Sequence, residues 1–209
     1  MSGVFIATPA YDEWVSIEHA SALFEGAAYL ALAGIEMSHS IAPGNPFIDI
    51  ARNELVEEFL RSDAEDLLFV DADVGFDAKA LTRVLAYEEE IVGGLVPKRD
   101  AKSDSSYHSN ALTGRMSASG LIECKELPTA FMRIKRGVFD KLERPYFKTG
   151  SNPKDFGEDI YFCRKWCALG GSLWIDADLT FSHRGGKVWK GNFYDHAVKS
   201  GLLIKAEAA

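Results

Sequence analysis

The segment Leu67-Leu68-Phe69-Val70 constrains this chain most: it is apolar at every position and ends abruptly in Asp71-Ala72-Asp73. A strand with one wet face alternates apolar and polar residues, whereas an unbroken apolar run needs cover on both faces. It therefore predicts a central strand of a sheet with helices on either side. In open α/β sheets ligands gather beyond the carboxyl ends of the strands. The two aspartates stand at such an end.

The neighbouring segments extend the pattern. Val4 to Ala7 reads as a second buried strand, followed by the loop Thr8-Pro9-Ala10-Tyr11. Ser16 caps a predicted helix running to about Ala33, with Glu18 and His19 in its first turn and Gly34 as its stop. Ile35 to Ile41 reads as a strand and Pro43-Gly44-Asn45-Pro46 as a loop. Phe47 to Leu60 has helical spacing, with Ile50, Val56 and Leu60 on a broad apolar face. A helix over about Ala78 to Ala86 and a strand over Ile91 to Val96, ended by Pro97, complete a βαβαβαβ order.

The second half is less regular. Lys102 to Ser119 is polar and reads as a loop over a site. Leu121 to Glu126, Ala130 to Lys135 and Ser172 to Ile175 read as strands. Val138 to Leu142 reads as a short helix, Asp155 to Leu169 as a longer one stopped by Gly170-Gly171, and Asn192 to Lys205 holds a helical stretch. With no internal repeat and no linker, 209 residues are expected to form one domain.

Charge and cysteine content exclude several classes. A net charge of −8 gives no general attraction for nucleic acid or anionic membrane. Two basic clusters, Lys98, Arg99 and Lys102, then Arg184, Lys187 and Lys190, read equally as solvated surface or as phosphate contacts. Cys124, Cys163 and Cys167 are too few for a disulfide framework, and a spacing of four without a second pair makes no zinc site, so buried thiols are expected. No apolar run reaches the ~20 residues of a membrane span, and the first residues lack a signal-peptide pattern. The expected location is the cytoplasm.

Asp71 and Asp73, just past a buried strand, are candidate ligands of Mg²⁺ or Mn²⁺, because carboxylate oxygens are hard donors. In an extended segment they would point the same way; the plain alternative is a solvated, helix-capping turn. A calcium loop is rejected, since its required glycine and glutamate positions hold Phe76 and Thr82. Glu158 and Asp159 near a helix start read either as dipole-favoured capping residues or as a general base and its neighbour. His183, in Phe181-Ser182-His183-Arg184-Gly185-Gly186, reads as a loop histidine able to serve as a third metal ligand. The glycines beside it make neither a Walker loop nor a dinucleotide fingerprint, though they would let backbone approach a phosphate.

The order of these motifs resembles the GT-A glycosyltransferases, in particular small stand-alone members related to glycosyltransferase family 2. It runs from Thr8-Pro9 through Ala51-Arg52-Asn53, Leu68-Phe69-Val70-Asp71-Ala72-Asp73, Gly93-Gly94-Leu95-Val96-Pro97-Lys98-Arg99 and Phe156-Gly157-Glu158-Asp159 to His183. The resemblance implies an α/β, Rossmann-like, mixed and mainly parallel sheet flanked by helices in a single domain. Residues 1–100 would be the nucleotide-binding half and 101–209 the acceptor and catalytic half. It implies that Thr8, Pro9 and Tyr11 hold the nucleotide base, uracil by preference, with Arg52 on the base or ribose side. Asp71 and Ala72 would lie at the ribose and diphosphate. Asp73 would bind Mn²⁺ or Mg²⁺, with His183 and Asp71 completing the metal site. Lys98 and Arg99 would contact donor phosphate or sugar, and Asp159 would be the catalytic base with Glu158 beside it. The implied reaction moves a sugar from a nucleotide diphosphate donor, a UDP-sugar, to a hydroxyl of a glycan or other acceptor, with inversion. The processive Gln-x-x-Arg-Trp motif is missing, which implies single-sugar transfer.

Two rivals use the same carboxylates. A nucleotidyltransferase making nucleotide sugars needs a glycine-rich basic loop after the first strand, and residues 8–16 hold neither glycine nor lysine. A non-catalytic nucleotide-sugar binding module would need no base, so Asp159 discriminates it.

Overall fold

In the computed structural model, the structure describes residues 3–99, 107, 112–150 and 157–203. The apolar runs form the centre as the sequence predicts. β1 (Gly3–Ala10) leads through α1 (Ile17–Leu32) to β2 (Glu36–Pro43), then through α2 (Ile48–Arg61) to β3 (Asp66–Val70). β4 (Val74–Phe76), α3 (Ala80–Leu85) and β5 (Ile91–Gly93) follow. The second half supplies β6 (Leu112–Met116), β7 (Ile122–Cys124), β8 (Phe131–Lys135), α4 (Arg136–Phe139), α5 (Glu158–Ala168), β9 (Leu173–Ile175), β10 (Thr180–Arg184), β11 (Val188–Asn192) and α6 (Phe193–Lys199).

Eight strands make one mixed sheet in the order β2-β1-β3-β8-β5-β9-β7-β6. β1 runs parallel to β2 and β3, and β5 parallel to β9. β8 enters antiparallel between β3 and β5, and β7 is antiparallel to β9 and β6. The parallel part thus comes mainly from the βαβ units of the first half, and the antiparallel part from strands of the second half. A smaller sheet, β11-β10-β4, packs against α1.

Alternation along the central strands builds two cores. Phe5, Ala7, Leu67 and Phe69 meet Leu55, Val56 and Phe59 of α2 and Phe162 and Trp166 of α5. Val4, Ile6, Leu68 and Val70 point the other way, onto Ala22, Leu23 and Leu30 of α1 and Leu81 and Val84 of α3. Each of the larger of these side chains contributes about 1.5–3 kcal/mol on burial. The close packing of β4 needs Gly75, where a Cβ would lie 2.5 Å from Ser182 Oγ and 2.6 Å from Glu18 Cβ.

Several expectations change. Ile50 is exposed, and the buried face of α2 is Ala51, Arg52, Leu55, Val56 and Phe59. An arginine took a core position because two carboxylates await it. The segment at 181–186, read as a loop, belongs largely to the hairpin β10-β11. Part of the polar stretch 102–119 forms β6, while Lys102 lies outside the described residues, as do Asp155 and Phe156. Ser16 caps α1 as expected, accepting from His19 N–H at 3.1 Å. The three cysteines are free; burial pushes the Cys124 thiol up to about 12 and raises that of Cys163 well above its ordinary range. Among the described residues no helix is long and apolar enough to cross a membrane.

Candidate active site

The carboxyl ends of β1 and β3 open into a cleft of about 530 Å³. Its walls come from five stretches. They are the end of β1 (Pro9 and Ala10, read from sequence as loop but paired with β2) with the loop after it (Tyr11, Asp12, Trp14), the approach to α2 and Arg52, the turn Asp71-Ala72-Asp73, the segment Pro128-Thr129-Ala130, and the start of α5 with Glu158 and Asp159. Arg99 and His183 close the side next to Asp73.

The aspartate turn is held at every carbonyl. Asp71 O accepts from Val74 N–H at 3.0 Å and from His19 Nδ1–H at 3.0 Å. Ala72 O accepts from Ser16 N–H at 2.8 Å, and Asp73 O from Arg184 N–H at 2.8 Å. Asp71 N–H in turn donates to Ala130 O at 3.1 Å. The segment is therefore a fixed turn rather than extended chain, and its two carboxylates face different partners.

Asp71 Oδ1 accepts from Arg52 Nη2 at 3.0 Å, and Glu158 Oε1 accepts from Arg52 Nε at 3.0 Å. The guanidinium carbon lies 5.2 Å from the centre of the Phe69 ring. Burial alone would lower the Arg52 pKa, but Asp71 and Glu158 together raise it. Arg52 Nη1 is buried with no partner among the described residues. One buried cation thus joins the end of β3, the first turns of α2 and the start of α5.

Asp159 stands beside this pair, its Oδ1 accepting from Ile160 N–H at 2.7 Å. Burial, then the negative charge of Glu158, pushes its carboxyl up to about 6. A carboxylate in that range both accepts a proton and is ionised near neutral pH.

Asp73 has another surrounding. Its Oδ2 accepts from Arg99 Nη1 at 2.8 Å and lies 3.4 Å from His183 Nε2. His183 Nδ1–H donates to Pro97 O at 2.7 Å, which leaves Nε2 as the nitrogen facing Asp73. Burial raises the Asp73 pKa, but the bond to His183 and the charges of His183 and Arg99 outweigh it and hold the group low. Burial likewise lowers the His183 pKa, and its bonds to Asp73 and Pro97 more than reverse that.

Asp73 Oδ2 and His183 Nε2 set a carboxylate and an imidazole donor side by side, with Arg99 on the same oxygen. The carboxylate would suit Mn²⁺ or Mg²⁺ as a hard oxygen donor, and the imidazole would favour the softer transition ion of the two. Among the described residues no group of three or more His, Cys, Asp or Glu is placed to hold an ion. Two protein donors suffice where substrate phosphates supply the rest. Asp71 is engaged by Arg52 and adjoins the pair rather than joining it.

Of the other predicted residues, Pro9, Tyr11, Ala72 and Arg99 wall the cleft. Thr8 does not: it is fully buried, and its hydroxyl faces His39 Nε2 at 3.0 Å and His19 Nε2 at 3.4 Å. Lys98 is half-buried and outside the cleft wall. Arg184 is drawn away from the cleft by an ion pair with Glu18. The sequence reading missed His19, which binds the Asp71 carbonyl, and Trp14, which lines the cleft mouth. Trp14 had a signal, since two aromatic residues lie three apart in the loop Tyr11-Asp12-Glu13-Trp14.

The sheet order, the aspartate turn after β3 and the cleft above it make a GT-A-like fold, in one domain. Among solved structures the chain is similar to A197 from STIV, with a TM-score of 0.59 and 20% identity over 88% of this chain and 86% of that one. It is also similar to S. aureus TarS 1-349 in complex with UDP-GlcNAc, with a TM-score of 0.52 and 11% identity over 85% of this chain. It spans 56% of that TarS chain, little more than half. No protein-family model and no curated protein sequence matches the chain.

Proposed function

We propose that this protein is a metal-dependent glycosyltransferase that moves one sugar from a UDP-sugar to an acceptor hydroxyl with inversion. The observation that carries this reading is the convergence in one cleft of an Asp73–His183 donor pair and Asp159, a carboxyl raised to about 6. The likeness in fold to a protein solved with UDP-GlcNAc supports the choice of donor.

Asp73 and His183 would hold the Mn²⁺ or Mg²⁺. Bound there, the ion supplies positive charge to the leaving nucleoside diphosphate. Tyr11 and Trp14, which line the cleft, would give the base an aromatic contact. The Asp159 carboxylate takes the proton of the acceptor hydroxyl as that oxygen bonds the anomeric carbon and the bond to the diphosphate breaks. Arg52 neutralises Glu158 in part, so that Glu158 raises Asp159 without driving it out of the useful range. Holding donor and acceptor in one cleft supplies the proximity term.

Calorimetric titration with UDP, with and without Mn²⁺, tests the donor site. Binding should require the ion, and Asp73→Ala should weaken it at least ~10–100-fold, the loss typical when a ligand loses even its supporting partner. UDP binding that ignores both the ion and Asp73 would remove the metal from the reading. Failure of every nucleotide to bind would end it.

A further inference from the structure

A second concave surface lies away from the cleft, at the open edge of the sheet. β2 is the terminal strand, and its outer edge pairs with no strand among the described residues. Glu36-Met37-Ser38-His39-Ser40-Ile41-Ala42-Pro43 carries no lysine or arginine, and proline comes only at its last position. Strands left open at an edge normally carry such guards. Beside it, α1 turns an apolar stripe outward: Ile17, Ala20, Phe24, Ala28 and Ala31 follow helical spacing and are exposed. Strand and helix enclose an apolar groove of about 300 Å³, lined by Val15, Leu23, Phe24, Met37 and Ile41 together with His39.

The exposure is large. Phe24 and Leu32 are each 85% exposed, Ile17 75%, Ile41 44% and Met37 37%. At roughly 150–200 Å² for a free large side chain, these five present on the order of 500–650 Å² of apolar surface, the upper end for a monomer. The unpaired strand edge adds backbone donors and acceptors, bringing the face near the ~800 Å² per partner of a stable interface.

We infer that this face is the interface of a two-fold dimer, in which β2 pairs antiparallel with β2 of a second copy. A two-fold axis perpendicular to the sheet brings edge to edge and helix stripe to helix stripe in one operation. A bound extended peptide would cover the edge alone and leave Ile17 and Leu32 in water. The symmetry also keeps odd positions of β2 on the α1 side in both copies. A register centred on His39 sets Met37 of one copy against Ile41 of the other, and Glu36 against Ala42 rather than against another acid. α1 carries no lysine or arginine, and Glu18 is paired with Arg184, so burying the stripe strands no cation.

Sedimentation over about 1–100 µM, the span in which such an interface is read, tests this without reference to transfer. The wild-type chain should sediment as a dimer. Phe24→Glu and Ile41→Lys, both at exposed positions, should each raise the dimer dissociation constant at least tenfold while leaving circular dichroism and UDP titration unchanged. A wild-type chain that stays monomeric at 100 µM overturns the inference, whatever else that face then takes up. So does a dimer that survives both substitutions intact.

Discussion

Arg52 and Arg99 each hold one aspartate of the same turn, at 3.0 and 2.8 Å, but the first side chain is 4% exposed and the second 53%. Arg52 has a second carboxylate and an aromatic ring against it; Arg99 reaches Asp73 from the surface. A surface pair is worth about 0–1 kcal/mol, whereas removing one partner of a buried pair costs about 3–5 kcal/mol. The lesson is a division of labour. The Asp71–Arg52–Glu158 side is fixed framework, and the Asp73–Arg99 side is a carboxylate that solvent, ion or ligand can reclaim at little cost.

The largest effect is expected where the fixed side meets the chemistry. Asp159→Asn should lower the transfer rate by about 10²–10⁴-fold, the usual worth of a general base, with UDP affinity unchanged. Steady-state kinetics beside calorimetry separates the two; full transfer by the variant would remove Asp159 from its role.

Next comes stability on the fixed side. Arg52→Met leaves Asp71 and Glu158 without their cation and should cost about 3 kcal/mol in urea denaturation. A loss below about 1 kcal/mol would erase the distinction between the two arginines.

The pH dependence of stability gives a smaller effect with a definite sign. The Asp159 pKa rises from 3.8 to about 6 on folding. The folded state therefore holds that proton more tightly, which stabilises it below pH 3.8, a contribution lost as pH rises through about 6. Asp159→Asn should then melt higher than wild type at pH 8, with the gap closing by pH 4. A variant that melts lower than wild type at pH 8 would show Asp159 to be structural. In the same window wild-type transfer should fall about tenfold per pH unit below pH 6 as the base is protonated.

Smallest is Arg99→Ala, which should change stability by less than about 1 kcal/mol. A loss as large as that of Arg52→Met would make both sides framework.

What the sequence discloses follows the range of the interactions. β1, β3, α1 with its Ser16 cap and the glycine stop at Gly34 are local patterns, and each was readable. The places of Asp71, Asp73, Glu158 and Asp159, just past a strand or at the start of a helix, were readable because strand and helix ends announce themselves. Arg52 was placed on its helix, but its two partners, one of them 106 residues away, leave no mark in local spacing. β4 and β10 are short strands whose pairing depends on distant segments, so His183 looked like a loop residue until its hairpin formed. Thr8 sat in the right motif, yet its side chain follows strand alternation into the interior, toward His19 and His39.

The insertion of β8 between β3 and β5 has a consequence for a chain still being made. At about 5–20 residues per second, synthesis from Val70 to Lys135 takes roughly 3–13 s. Throughout that interval β3 has an open flank, and the Asp71 amide lacks the Ala130 carbonyl that it will donate to. Asp73 waits longer still, for Arg184. The apolar run is among the first parts of the sheet to leave the ribosome, yet the turn at its tip is among the last to set, so a truncated product would carry the sticky centre of the fold without its working end.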